Sequence, residues 1–388
     1  LSQAANSQGT LASLSSVGVI HIDGNGVGAI MRDLGEAFNT VEGDLSNLKP
    51  AAYWREENPC TPDENNIFQW FIMEVNYRLD GIVKEAVARS WADVEYLAND
   101  DDIDLVPVVP VLVGGDDVTV YTDGRYAIPF AEAYIRHYED LTKKDSLLSV
   151  LATVAGAPKK GPLTASAGVA IVGRNFPFHI AYDLAEELVS RGKKLGKKPG
   201  TVPCSTINFH VLRDATVLDP DDTLDEYKGR VQRPFLVGHY AQKRIAAEYD
   251  TSPTIEDWWR QVLRAVAVFD GKDPDSPGET VGDPFPRARA NRIVKLLAEG
   301  KEEQATTEWG DALQNAPSAG LFAKQLKLLP PHSSSSDEAG ESLEQIKWLL
   351  DLIDLSENVP DGYLASRISG DADCVGSQEA ADDSTEGG

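Results

Sequence analysis

An α+β fold is expected from three features of the sequence. Apolar, strand-like runs ending in Gly or Asp alternate with amphipathic helical stretches as far as about residue 215. Their order, β-α-α-β-β-α-β-α-β, is that of a split β-α-β, ferredoxin-like sheet. Beyond about residue 220 the pattern becomes helical, so a helical C-terminal appendage is expected.

Taken along the chain, Val17-Gly-Val-Ile-His-Ile22 reads as a buried strand closed by Asp23. Gly24-Asn-Gly-Val-Gly28 is a tight turn, and 29–38 begins a helix. Residues 40–66 carry Pro, Gly and Asn and read as a loop or insertion. From Ile67 to about Ala98, Phe71, Val75, Leu79, Ile82, Val83 and Ala86 recur at helical spacing, so a long amphipathic helix is expected. Leu105 to Val113 is a strand that turns through Gly114-Gly-Asp-Asp117 into Val118-Thr-Val-Tyr121, a hairpin with two carboxylates at its tip. A helix at 127–141, a strand at Leu163–Val172, a helix at 177–195 and a strand at Ser205–Leu212 complete the domain. Helices are expected at 255–270, 287–299, 302–316 and 341–355. The resulting division is a loose leader at 1–15, the sheet domain at 16–219, the helical region at 220–360 and an acidic, flexible tail at 361–388.

Composition excludes several functions. With 62 acidic against 36 basic residues the 388-residue chain carries a net charge of −26. A sequence-nonspecific duplex binder needs clustered Lys and Arg, so that class is set aside and any nucleotide chemistry must be local. No apolar run approaches the ~20 residues of a membrane helix, so no membrane span is expected. Cys60, Cys204 and Cys374 form no CxxC pair. They fit a reducing compartment, and a cytoplasmic location is expected.

The chemistry is expected where acidic strand ends converge. Asp23 closes the first strand, and Asp116 and Asp117 sit at the hairpin tip; in a split β-α-β sheet these strands are neighbours. Three such carboxylates repel one another unless they hold divalent cations, and an all-oxygen donor set suits Mg²⁺ or Mn²⁺. Gly114 and Gly115 allow a base or ribose to approach closely, and Gly24, Gly26 and Gly28 can bring backbone N–H groups to a triphosphate. GxGxxG does not fit these glycines and GxxxxGK[ST] is absent, which removes the dinucleotide and P-loop readings. Lys193, Lys194, Lys197 and Lys198 form a local positive patch, read equally as a phosphate site or as a solvated helix C-terminus.

Other polar residues have plainer readings. Asp123 and the run Asp100-Asp-Asp-Ile-Asp104 read as turn and surface, His21 as a satisfied core histidine, and Trp258-Trp259 as core. His179, His210 and His239 are scattered, with no HExxH, so a zinc or Ser/His/Asp hydrolase is unsupported.

The blocks VGVIHIDGNGVGAIM, VLVGGDDVTVY, LTASAGVAIVGRNFPFHIAYDLAEELVSRGKKLGKK and STINFHVL occur in that order. Together, over roughly residues 15–215, they resemble the second palm domain of the large polymerase-like subunit of type III CRISPR effector complexes. More broadly they resemble the superfamily of GGDEF cyclases and class III nucleotidyl cyclases. The resemblance implies a palm of the nucleotidyl cyclase/polymerase type that makes cyclic oligoadenylate second messengers from ATP in antiviral defence. It implies metal at Asp23, Asp116 and Asp117, and nucleotide at Gly24, Asn25, Gly26, Gly114, Gly115, Ser166 and Lys193 or Lys194. One palm, no zinc cysteines and no HD pair point to a standalone minimal polymerase or cyclase-like relative. GGDD ends in Asp rather than the Glu of diguanylate cyclases, and no RxxD precedes it, which weighs against cyclic di-GMP. With one palm visible, an oligonucleotide product calls for a homodimer. The alternative is an inactive palm scaffold in an RNA-guided complex, against which the missing basic surface weighs. A template-directed polymerase is weaker still, since a primer-template duplex wants a positive cleft.

Overall fold

Strand β1 (Ser16–Asn25) is the centre of the sheet, buried on both faces. Val17 and Val19 pack to one side, Ile20 and Ile22 to the other, which is why the strand reads as a nearly unbroken apolar run rather than an alternation. The structure is a computed structural model. It describes residues 16–41, 67–100, 108–213, 219–249, 258–276, 278–315, 319–329 and 338–369. The expected leader, most of the 40–66 loop, Cys60, Cys374, residues 101–104, most of the Ser-rich stretch and the tail beyond 369 lie outside the described residues.

Six strands form one open mixed sheet in the order β2-β3-β1-β4-β5-β6. These are β2 (Val109–Gly114), β3 (Asp117–Asp123), β4 (Thr164–Gly173), β5 (Ser205–Val211) and the three-residue β6 (Phe235–Val237). β1 is antiparallel to both β3 and β4, β2 is antiparallel to β3, and β5 is parallel to β4. β1 and β2 therefore run the same way with β3 between them. Pro110 on β2 is tolerated because β2 is an edge strand.

After β1 come the short helices α1 (Val27–Arg32) and α2 (Leu34–Val41). The expected single helix is broken at Asp33, whose carboxylate accepts from Glu36 N–H at 2.9 Å and caps the second piece. The long helix α3 (Ile67–Asp100) follows. α4 (Gly124–Lys144) starts directly after β3, and Asp123, expected as a surface turn residue, is a buried cap accepting from Arg125 N–H at 3.0 Å. α4 crosses the face of the sheet that holds Ile20 and Ile22, with α3 packed behind it. α5 (Leu148–Leu151) is a single turn before β4, and α6 (Phe178–Gly196) covers β1, β4 and β5 on the opposite face.

The C-terminal region is not helical throughout. α7 (Pro220–Asp225) leads to β6, which adds to the sheet beside β5. α8 (Ala241–Tyr249), α9 (Trp258–Phe269), α10 (Arg287–Ala298), α11 (Glu302–Asn315) and α12 (Ala319–Leu326) follow. Next are α13 (Glu338–Ile346), α14 (Leu349–Asn358) and α15 (Asp361–Ser369). The helix expected at 341–355 is thus two helices. Residue 361, where the tail was expected to begin, starts α15, which buries Tyr363, Leu364 and Ile368. Phe235 of β6 stacks on Trp348 at 5.8 Å and contacts Trp259 at 5.7 Å, joining this region to the sheet through aromatic packing. No helix among the described residues is long and apolar enough to cross a membrane.

Candidate metal centre

The strand register brings the acidic residues together. Asp23 on β1 pairs with Asp117 on β3, which in turn pairs with Gly114 on β2; Asp116 occupies the connecting turn. Asp23, Asp116 and Asp117 are each half-buried, and each offers a carboxylate oxygen, all within 4.8 Å of one another. Among the described residues no other trio of His, Cys, Asp or Glu side chains converges in this way.

The backbone is shaped for this approach. A Cβ on Gly24 would stand 2.9 Å from Cβ of Asp116 and 3.1 Å from its Oδ2, so only glycine lets Asp116 lie against the end of β1. Gly26 takes a left-handed φ of 88° and packs on Ala155. Gly115, with φ 63°, makes the hairpin turn, whereas a Cβ on Gly114 would meet nothing within 4 Å. Gly28 lies in α1, a helix of six residues that can add little dipole to an anion site.

Electrostatics register the crowding. Burial, then the nearby carboxylates of Asp23 and Asp117, push Asp116 up to about 6, with Lys193 opposing. Burial and Asp23 likewise raise Asp117. His21 is held below its ordinary value by burial, partly offset by Asp117 and Asp23; its Nδ1 lies 3.1 Å from Thr119 Oγ1, the satisfied contact expected of it. Beneath the cluster, Tyr134 and Tyr138 of α4 stack at 5.8 Å, and burial raises both phenols. The Tyr138 hydroxyl has no hydrogen-bond partner among the described residues. An all-oxygen trio with a partly protonated member is a donor set that a divalent cation fits, since cation binding relieves both the repulsion and the buried charge.

The lysines divide by position. Lys193 forms an ion pair with Asp23, while Lys194 and Lys197 line an adjoining cleft of about 590 Å³ together with His21, Glu186 and Pro199. Lys198 turns to Glu248 at 3.4 Å. Asn25 and Ser166 sit behind the cluster rather than in the cleft. Ser166 Oγ donates to Asn25 Oδ1 at 3.0 Å, Thr206 Oγ1 donates to Ser166 at 2.9 Å, and Asn25 Nδ2 donates to the Cys204 carbonyl at 3.2 Å. Both side chains are buried, so they brace the turn after β1 and have no surface to offer a nucleotide in this conformation. Tyr134, Tyr138 and Glu186 escaped the sequence reading. The i, i+4 pair of tyrosines on the helix after the GGDD hairpin was the available signal.

A second cavity, about 510 Å³, lies away from the carboxylates between α4, the β6 turn and α9. There the buried Glu139 accepts from Ser205 Oγ at 2.5 Å and from His239 N–H at 2.6 Å, and burial pushes it up to about 7. The Ser205 hydroxyl is fully buried and also accepts from Ala165 N–H at 3.0 Å, so it is held as a structural contact, and the metal-ligand chemistry favours the first site despite the comparable volume. Compared with known proteins, the sequence matches no family model and no curated relative.

Proposed function

We propose that the chain is a metal-dependent nucleotidyltransferase or cyclase of the palm type. The observation that carries this reading is the convergence of Asp23, Asp116 and Asp117 at the ends of paired strands. The strand order β2-β3-β1-β4, with β1 and β2 parallel around β3, supports the ferredoxin-like palm reading. In the reaction a ribose hydroxyl oxygen attacks the α-phosphorus of an NTP, ATP favoured by the resemblance. The new P–O bond forms as the bond from the α-phosphorus to the bridging oxygen breaks, pyrophosphate leaves with that electron pair, and the hydroxyl proton passes to solvent.

Mg²⁺ or Mn²⁺ bound by the three carboxylates would neutralise the developing charge and lower the pKa of the attacking hydroxyl. Asp23, Asp116 and Asp117 hold that charge in place. Lys193, released from Asp23, and Lys194 face the cleft in which a triphosphate can be held. Gly114 leaves open space beside the cluster for a ribose or base. Asn25 and Ser166 keep the β1 turn from shifting.

The Lys193–Asp23 pair favours one other reading, a palm that binds nucleotide without turnover, because an ammonium already neutralises one metal ligand. Incubation with each NTP and Mg²⁺ or Mn²⁺, followed by mass spectrometry, separates the two. Pyrophosphate and a cyclic product that vanish in Asp116→Ala/Asp117→Ala support the enzyme. Metal-dependent binding with no product supports the scaffold.

A further inference from the structure

One strip of the sheet beside the metal centre is only partly covered, with Asp117 and Tyr121 half-buried and Thr119 between them buried. α6 covers β1, β4 and β5, and on the same face β3 carries Asp117, Thr119 and Tyr121 at alternate positions. The contact of His21 with Thr119 fixes which face this is. Register adds Leu112 opposite Thr119 and Val109 opposite Tyr121. Along α6, Phe178 and Tyr182 lean over the strip, one turn apart. The rings form a run: Tyr121 to Phe178 at 6.1 Å, Phe178 to Tyr182 at 6.3 Å, Tyr182 to His21 at 5.4 Å. Its rim is open to water, with Phe178 40% exposed, Val109 42% and Leu112 49%. A patch of this kind on an acidic surface calls for an apolar, flat partner.

We propose that this strip is a stacking platform for the bases of the acceptor, the nucleotide or short single-stranded oligonucleotide whose terminal hydroxyl attacks. The proposal rests on the nucleotidyltransferase reading. Three properties of the strip favour that occupant. It reaches towards the metal centre through His21, two residues from Asp23 on the same face, whose largely buried ring closes that end of the run. It extends about 13 Å along β3 from Asp117 to Tyr121 at ~3.3 Å per residue, a reach that spans more than one base stacked at ~3.4 Å. And a chain of net charge −26 must hold such a strand through ring faces rather than by neutralising phosphates. Donor triphosphate and acceptor base then lie along the same α6-covered face, the triphosphate beside Lys193 and Lys194 and the base on the rings towards Phe178, with His21 between them.

The probe is linear pApA, titrated by calorimetry into the full chain with Mg²⁺. Phe178→Ala and Phe178→Ala/Tyr182→Leu are compared with Phe178→Trp, thermal melts verifying the fold. Each ring removed is expected to weaken pApA by about 5- to 100-fold, with Trp retaining affinity and with little dependence on salt. Asp116→Ala/Asp117→Ala is expected to keep most of the pApA affinity. Unchanged affinity in the Phe178 and Tyr182 variants, with wild-type product formation, overturns the platform and leaves the enzyme reading standing. Loss of a dimer in Phe178→Ala at unchanged pApA affinity also overturns it, assigning the strip to contact between copies of the chain. Ring-dependent pApA binding in a chain that turns over no NTP supports the platform and sinks the catalytic reading instead.

Discussion

Asp116 is held near the end of β1 by an absence, the missing side chain of Gly24, and this can be tested apart from catalysis. Gly24→Ala places a Cβ 2.9 Å from that of Asp116 and must displace the carboxylate. Mn²⁺ affinity is expected to fall ~10- to 100-fold, as when a group that orients a metal ligand is disturbed, and calorimetry reads this directly. Gly114→Ala is the contrasting change. Its Cβ meets nothing within 4 Å, so stability is expected to stay within about 0.5 kcal/mol, while nucleotide affinity falls if a base or ribose uses that space. Asp116→Asn removes a like charge from a half-buried site. It is expected to raise the metal-free melting temperature by a few degrees, about 1 kcal/mol after solvent screening, and to abolish the rise expected on adding Mn²⁺ to the unaltered chain. The three aspartates were legible because acidic strand ends and a Gly-Gly hairpin are local patterns. Tyr134 and Tyr138 were not, because buried aromatics on a helix look the same whether they face a core or the underside of a charged site. Asn25 and Ser166 lie close to the motif in sequence or in register, yet their side chains turn inward to each other, a choice the motif does not encode.

Glu139 on α4 ties that helix to β5 through Ser205 and to the β6 turn through His239. Burial raises its carboxyl to about 7, the two hydrogen bonds and Lys143 opposing. The folded state therefore holds a proton that the unfolded chain releases near the ordinary glutamate value. This contribution to stability is present at low pH and is lost as pH rises to about 7. Asp351 on α14, raised to about 7 by burial with Arg233 and the Gln232 N–H opposing, adds a slope of the same sign. Denaturant titrations at a series of pH values should show stability from these groups declining between about pH 4.5 and 7. Glu139→Gln should flatten, without abolishing, that decline, at a cost from the lost His239 contact. An equal slope in the variant assigns the effect to other groups. Among the elements, the hairpin and the helices with clear periodicity were legible, and α4 and α6 fall within a few residues of expectation. β6 was not: three residues are too few to show a period, and Phe235-Leu-Val237 becomes a strand only because β5 offers it an edge.

The region after residue 220 shares one hydrophobic core with the sheet instead of forming an appendage. Arg233 lies over the Phe209 ring at 4.3 Å and pairs with Asp351 at 3.3 Å and Asp354 at 2.7 Å, all three side chains buried. Arg233→Ala leaves the buried Asp351 without its ion pair, while Arg213 still pairs with Asp354 at 2.9 Å, and is expected to cost ~3 kcal/mol, seen as a lower denaturant midpoint. Because β6 and α14 are bound to β5 and α4, unfolding is expected to be a single transition, with tryptophan fluorescence, dominated by the helical region, coinciding with far-UV circular dichroism. Separate transitions would restore the division at residue 219. Local pattern alone was enough for a mixed α and β fold, the apolar strands and the three acidic residues, because periodicity and turn chemistry act within a few residues of one another. Which lysine meets Asp23 and which polar side chains are sealed behind the turn were settled by contacts between segments more than a hundred residues apart, and β6 completes the sheet only through its pairing with β5. Such contacts depend on how faces pack, and packing leaves no mark on the local order of residues.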